Sequence, residues 1–301
     1  MIFIIAIEKL NYSNVANYKN FLFSLSIEKV NMNNEKLIAY GARYNNVPCG
    51  AIFAQLSEYE KGSQCDIKSF FVSALFRHNG IGTKLIDKLK NEAIKLSVKK
   101  IVFKAITSEE NIYLINDFLT KRGFSKIELL TAVYRFTPEK IIKQNQFIRL
   151  LSKSKFKLPE KVKILPIKDV DPLLIEKVKK RQGINYPEIL SPFANEFNLK
   201  EKCTCFAIYN DNEVIGWMTG FEAPGDIILY RALFVREDYR KSALGYFIFS
   251  ECIKYHRENY MDKKALCAIG LNNAKADRFV SLYFKDMYDH KKYEFKTELN
   301  I

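Results

Sequence analysis

The sequence predicts an α/β (α+β) protein built from two tandem domains of one fold, each a twisted, mixed, mainly antiparallel sheet flanked by helices. Three observations predict it. A chain of 301 residues is long for one compact domain and comfortable for two. The order of apolar runs in the second half repeats that of the first. A small-residue turn between a strand and a helix falls at the same place in both halves, which marks an internal duplication.

The elements follow from local pattern. Ile2-Phe3-Ile4-Ile5-Ala6-Ile7 reads as a strand, being too short for a membrane span and lacking the basic leader and cleavage site of a signal peptide. Residues 13–29 carry apolar side chains at helical spacing. Strands at 36–44 and 47–56 flank the turn Asn45-Asn46. The apolar run 66–76 reads as a strand reaching Arg77, and 81–97 as an amphipathic helix with Ile81, Leu85, Ile86, Leu89 and Ala93 on one face. A strand at 100–106 and a helix at 109–121 follow, with Gly123 suited to a left-handed cap. Alternation returns at 126–136 and is broken by Pro138. Residues 139–160, a lysine-rich helical stretch with Pro159 near its end, read as a linker, so the domains are expected at 1–138 and 161–301.

In the second half, strands are expected at 161–167, 203–209, 214–221, 226–236, 264–269 and 291–299. Helical segments are expected between 169 and 199, from the turn at 239–245 to about 259, and at 273–287. Asn210-Asp211-Asn212 is a hairpin signal.

The net charge is +14; residues 1–148 carry +8, 149–168 a further +6, and 169–301 balance to zero. Such a surface suits a ligand with several phosphates, and equally nucleic acid or an anionic membrane surface, so charge alone selects no partner. The six cysteines show no C-x-x-C spacing and there are three histidines, so no zinc set is expected. Cys203 and Cys205, two apart in an apolar run, belong on one strand face; buried thiols in a reducing cytoplasm are the expectation. No run of 18 apolar residues predicts a transmembrane helix.

The segment Arg77-His78-Asn79-Gly80-Ile81-Gly82-Thr83 carries the chemistry. Glycines let backbone N–H groups approach an anion, and the first turn of the helix adds unpaired donors at the positive end of its dipole. Read as Arg-x-x-Gly-x-Gly after the strand ending in Phe71-Val72, the segment resembles the pyrophosphate loop of the GNAT superfamily of N-acetyltransferases, which use acetyl-CoA. Element order carries this resemblance over nearly the whole chain; specific motifs carry it over 65–125 and, more loosely, over 226–290.

The resemblance implies two tandem GNAT-like domains and a set of site residues. Phe71 and Val72 would lie where one strand parts from its neighbour and pairs with the pantetheine arm. The amides of His78, Asn79, Gly80, Ile81, Gly82 and Thr83 would hold the pyrophosphate, with Arg77 at its edge. Asn111 matches an asparagine near CoA, a helix N-cap being the competing reading. The reaction needs a neutral amine, a route for its proton and stabilisation of the leaving thiolate, and the family often uses a carboxylate base and a tyrosine acid. That tyrosine belongs four residues before the glycine of a Gly-Phe pair, which for Gly123-Phe124 is Leu119; Tyr113 lies elsewhere on the helix. Asp66 is the candidate base, weighed against a plain surface role.

The second half departs in the opposite sense. Its loop, Arg240-Lys241-Ser242-Ala243-Leu244-Gly245, has alanine where the first glycine belongs, which calls for a negative φ at Ala243. Met287-Tyr288 replaces the Gly-Phe pair, yet four residues before it stands Tyr283, the candidate acid. Asp226 and Glu222 are further carboxylates that nothing singles out. The first half is therefore expected to hold acetyl-CoA, with the second a degenerate copy shaping the substrate cleft, or both halves bind. The expected activity is transfer of an acetyl group to a small-molecule or peptide amine by direct attack. The alternatives are a decayed acyl-CoA-binding sensor or scaffold, and a tRNA-dependent aminoacyl transferase of similar tandem fold. Neither a membrane nor nucleic acid is an expected partner. Residues 11–35 and 183–200 would border the acceptor, with Tyr186, Phe193 and Phe197 as pocket or core aromatics.

Overall fold

The computed structural model describes residues 4–32, 36–59, 62–137, 140, 157–193, 200–273, 276, 278, 280 and 288–301. In chain order the first half contains β1 (Ile5–Lys9), α1 (Ser24–Asn31), β2 (Leu37–Tyr44), β3 (Val47–Tyr59), β4 (Gly62–Val72), α2 (Ile81–Lys95), β5 (Lys100–Ser108), α3 (Glu109–Thr120) and β6 (Glu128–Phe136). The second half contains β7 (Val162–Pro166), α4 (Pro172–Lys180), β8 (Lys200–Glu201), β9 (Cys205–Tyr209), β10 (Glu213–Ala223), β11 (Ile227–Val235), α5 (Leu244–Asn259), β12 (Lys264–Gly270) and β13 (His290–Asn300). Most of the expected linker 139–160, part of the expected helix 273–287, and residues 194–199, Phe197 among them, lie outside the described residues.

Two hairpins form where the sequence places them. Asn45 and Asn46, between the paired Tyr44 and Val47, have φ of 47° and 66°, the left-handed pair that a tight two-residue turn requires; in the three-residue turn between Tyr209 and Glu213, Asn210 and Asp211 have 50° and 59°. Two expectations change. The strand expected to reach Arg77 stops at Val72, and Ala74–Phe76 wind into a 3₁₀ turn; an apolar run does not distinguish the two by itself. The helical spacing over 13–29 resolves into a 3₁₀ turn at Val15–Tyr18 and the short helix α1.

The chain forms two compact units, Met1–Leu130 with Tyr293–Ile301, and Thr131–Lys292. The contiguous boundaries read from sequence differ from these at both ends. In the first unit the strand order is β1-β2-β3-β4-β5-β13, and in the second β6-β12-β11-β10-β9-β7, with β8 beside β10. The C-terminal strand thus completes the first sheet, where the amide of Ile301 donates to Lys99 O at 3.1 Å and that of Ser125 to Glu298 O at 2.7 Å. Strand β6 pairs antiparallel with β12, Phe136 opposite Ala265 and Thr131 opposite Gly270. Alternation specifies that a segment is a strand and which face it buries, but not which strand it joins.

Within each unit one parallel ladder sits among antiparallel ones. Strand β4 pairs with β5 from Gln64–Lys100 to Ile67–Phe103, and β11 with β12 from Ile227–Lys264 to Tyr230–Cys267. In the first unit the α2 face buries Leu85, Ile86 and Leu89 with Cys65, Ile67, Ile101 and Phe295. The opposite face packs Tyr18, Leu22 and Val30 on Ala51 and Phe53. In the second, Leu174 and Val178 of α4 pack with Tyr186, Phe206, Trp217 and Phe234. Under α5, Tyr230 Oη lies 2.6 Å from His256 Nδ1, and His256 Nε2 lies 3.2 Å from Lys263 O. The carbonyl can only accept, so Nε2 donates. Burial holds the ring's pKa below the usual value, which favours the neutral form, with Nδ1 taking the tyrosine proton.

Phe295, fully buried and edge-on to Phe103 with ring centroids 5.6 Å apart, anchors β13. Phe295→Ala is expected to cost about 3 kcal/mol or more, read as a lowered urea midpoint. His256 stays neutral in the fold and charges freely once unfolded, so the unfolded chain binds the extra proton. Stability is therefore expected to fall as pH drops through the ordinary histidine value of 6.5. Urea titrations above and below that pH check this, and His256→Asn should flatten the dependence; an unchanged slope would contradict the neutral assignment.

Candidate functional site

Strand β4 outlasts its partner. Its parallel pairing ends at Ile67–Phe103 although β4 continues to Val72 and β5 to Ser108. Just after the last pair the β3–β4 ladder slips by one residue, Phe53 facing Ser69 but Ala54 facing Ile67. This bulge inverts the alternation. Cys65 and Ile67 before it, and Phe70 and Val72 after it, all join the α2 core. Phe71 turns to the other face and stacks on Phe21 at 6.0 Å. Beyond Ile67 no strand among the described residues pairs with the edge of β4 that faced β5, and Phe71 and Val72 lie on this open stretch. Gly50 makes the junction possible, because a Cβ there would lie 2.7 Å from Phe71 O.

The loop that follows is tied back to its strand. Arg77 Nε donates to Val72 O at 3.1 Å, with the guanidinium 5.9 Å from the Phe71 ring centroid. Asn79 Nδ2 donates to Phe76 O at 3.3 Å and Arg77 O at 3.1 Å. His78 and Gly80 take positive φ of 64° and 76°, and Gly80 caps α2. The first helical bond here is Lys84 N to Gly80 O at 3.0 Å. Among the described residues no protein acceptor takes the amides of His78, Asn79, Gly80, Ile81, Gly82 or Thr83. Six unpaired donors converge at the positive end of a helix, an arrangement suited to a phosphate.

Gly82 has another reason to be small. A Cβ there would lie 3.1 Å from Phe118 and 3.4 Å from Phe70, so it lets α3 close onto the start of α2. Sequence reasoning missed Arg122, which comes with this packing. Its Nη2 donates to Thr83 Oγ1, its Nη1 to Phe118 O at 2.5 Å, and its guanidinium lies 3.7 Å from the Phe118 ring centroid. Its Nε is buried without a partner, and burial lowers its pKa. A basic residue directly before Gly123-Phe124 was the available signal.

The remaining site candidates lie as follows. Asn111 sits in the first turn of α3, its Nδ2 donating to Ser108 Oγ at 2.8 Å. Asp66 lies on the paired part of β4, opposite Val102, where it accepts from Ser57 Oγ at 2.8 Å and Gln64 Nε2 at 3.0 Å. Leu119 is fully buried and Tyr113 exposed. Tyr283 lies outside the described residues.

The second unit repeats the frame. Parallel pairing stops at Tyr230–Cys267 while β11 runs on to Val235. The β10–β11 ladder slips between Met218 and Gly220. A Cβ on Gly216 would lie 2.8 Å from Phe234 O. Arg240 Nε donates to Val235 O at 3.2 Å, the counterpart of the Arg77 tie. Ala243 caps α5 with φ of +59°, against the negative φ expected of an alanine; the ties on either side hold the loop in the shape Gly80 adopts freely. The donors differ. The Ser242 amide bonds Tyr239 O at 3.1 Å and that of Tyr246 bonds Ala243 O at 3.0 Å, whereas their counterparts, Asn79 and Thr83, keep theirs free.

Comparison with known proteins agrees with this geometry. The acetyltransferase (GNAT) family matches residues 8–124 and 174–283. A tandem GNAT protein from the clavulanic acid biosynthesis pathway, solved without acetyl-CoA, is 12% identical with a TM-score of 0.63, over 97% of this chain and 98% of its own. A GCN5-related N-acetyltransferase from Sphaerobacter thermophilus is 12% identical with a TM-score of 0.58, over 99% of this chain and 96% of its own. No curated protein matches the sequence. Among the described residues no helix is long and apolar enough to cross a membrane.

A Cβ in the left-handed region costs about 1 kcal/mol. Ala243→Gly is therefore expected to stabilise the second unit by up to about that amount, less the added entropy of the unfolded chain, and Gly80→Ala to destabilise the first. Opposite signs in urea unfolding are the outcome that fits.

Proposed function

Because the chain belongs to the GNAT family of acetyltransferases, we propose that its first unit binds acetyl-CoA and transfers the acetyl group to a primary amine of a small molecule or peptide. The observation that carries this reading is the set of six unpaired amides from His78 to Thr83 beside a strand that has lost its neighbour. Phosphates suit the amides, and the free backbone edge beyond Ile67 suits the amide groups of a pantetheine arm, so the residues fit the molecule. Acetyl-CoA supplies the acyl group as a thioester. Arg77 fixes the loop against Val72, and Gly82 lets Phe118 close the helix start. An amine bound neutral attacks directly, and because a thiol leaves readily, Leu119 in place of a tyrosine does not prevent transfer. Asp66 remains the proton-transfer candidate of this unit; Tyr283 is the candidate of the second unit, and its replacement slows turnover only if that unit is catalytic.

A second reading, an acyl-CoA-binding protein without turnover, is favoured by Leu119 being sealed in the core, where it offers no proton. The two readings separate on CoA release: an enzyme liberates free thiol with some amine, and a sensor binds acetyl-CoA and leaves it intact.

Calorimetric titration with acetyl-CoA is expected to give one site per chain. Gly80→Asp suits this test, because nothing lies within 4 Å of a Cβ there and aspartate tolerates a left-handed φ. Its carboxylate should weaken binding about tenfold or more, roughly 1.4 kcal/mol. Gly82→Trp should abolish binding, whereas Ala243→Asp and Gly245→Trp should leave it nearly unchanged. Equal losses from both loops would sink the one-site reading. Tyr283→Phe and Asp66→Asn, measured as turnover at saturating acetyl-CoA, test those two side chains.

A further inference from the structure

A cavity of about 310 Å³ opens in the second unit between α4 and the start of the β10–β11 hairpin. Its floor is aromatic. Trp217 stacks on Phe234 with centroids 4.3 Å apart, and Tyr186 meets Trp217 edge-on at 4.7 Å. The polar ends of this floor are engaged inside the protein: Trp217 Nε1 donates to Leu190 O at 2.8 Å and Tyr186 Oη to Val178 O at 2.9 Å. The floor therefore presents ring carbon and no free donor to the cavity.

The rim is charged, and the charge is uneven. Arg236 is neutralised: its Nη1 meets Glu213 at 2.6 Å, while Nε and Nη2 meet the two oxygens of Asp238 at 2.7 and 2.8 Å. Glu213, the one carboxylate lining the cavity among the described residues, is thereby committed. Lys177 of α4 and Arg181, the residue that caps its C-terminus, border the cavity and have no acidic partner among the described residues, whereas Lys179 pairs with Glu176 at 2.7 Å. A wall of committed charge, one guanidinium shared by two carboxylates, thus faces two cations that lack an acidic partner among the described residues, above an apolar floor.

The repeated fold does not by itself produce this site. In matching register, Gly50 facing Val72 corresponds to Gly216 facing Val235. Ala51 then stands for Trp217, Ser73 for Arg236 and Val47 for Glu213. Phe234 has an aromatic counterpart in Phe71, whereas Trp217 and the charged wall belong to the second copy alone.

We propose that this cavity binds a small organic anion with an aromatic or apolar body, its carboxylate or phosphate held by Lys177 and Arg181 and its body lying on Trp217 and Phe234. The volume is at the low end for a small-molecule site, which suits a single ring with one acidic group. The site does not depend on the acetyl-CoA loop of the first unit, and its test contains no CoA.

Trp217 is the single tryptophan of the chain, so its emission reports this cavity directly. The full chain is titrated with phenyl phosphate, with phenylacetate and with neutral phenylacetamide, following Trp217 emission and heat in parallel. Saturable binding of at least one anion, and none of the amide, is expected; the tighter anion identifies the acid group. Lys177→Gln and Arg181→Gln, both at exposed positions, should each weaken binding about tenfold, the loss of one charge-assisted contact, with unfolding midpoints unchanged. Absence of saturable binding by either anion, equal binding of the amide, or indifference to both substitutions would overturn the proposal.

Discussion

Each unit is organised by a parallel strand pair that stops pairing while its leading strand continues. Four residues of β4 pair with β5, then the strands part, and the same holds for β11 and β12. Backbone groups left without a ladder partner must find water, a loop or a ligand. The freed edge is thus a constraint that the surrounding structure has to satisfy. The bulge turns the last strand residues over, sending Phe70 and Val72 to the helix face and Phe71 to the other. The glycine across the ladder gives the carbonyl of Phe71 or Phe234 room. An arginine five residues beyond the strand's last valine then folds back to that valine's carbonyl. With those pieces in place the chain enters a helix, and in the first unit the first amides of that helix have no internal acceptor among the described residues.

Much of this was legible in the sequence wherever one residue type carries one backbone requirement. Asn45-Asn46 and Asn210-Asp211 announce left-handed turns, and Gly80 before an amphipathic run announces a helix start open to an anion. What was not legible depends on partners distant in sequence. β13 has the alternation of a strand but no mark sending it to β5, which begins 190 residues earlier. The Arg122–Thr83 contact joins residues 39 apart, and the early end of β4 is hidden because Ala74-Leu75-Phe76 are as apolar as the strand before them.

Ala243 is instructive because the residue-level rule failed there. Glycine's freedom predicts that alanine at a loop start avoids positive φ, yet the observed φ is +59°. A local preference of about 1 kcal/mol is outweighed when an arginine tie on one side and a buried helix face on the other fix the path. Leu244, Ile248, Cys252 and Ile253 bury that helix, and moving its first turn to relax one φ would disturb all of them. Loop shape is thus imposed from outside the loop, and glycine lowers its cost without creating it.

The two loops share their ends and differ between them. Each starts from a valine tied by an arginine and ends in a left-handed cap, but Arg77 is extended with ψ of 164° and His78 has φ of +64°, whereas Arg240 is helical with ψ of −25°. Along its own path the second loop uses its Ser242 and Tyr246 amides internally, while the first leaves the equivalent amides free. A duplicated unit can therefore keep the ends of a loop, because packing maintains them, while a changed path between them turns donors inward. Released from that role, the second copy can change elsewhere without disturbing its frame. Trp217 sits where the first copy has Ala51, on a strand whose register the paired glycines hold unchanged. The differences between the copies lie in side chains and one loop path on a shared frame, and they leave one copy with free amides at a helix start and the other with a cation-rimmed aromatic cavity on the opposite face of its sheet.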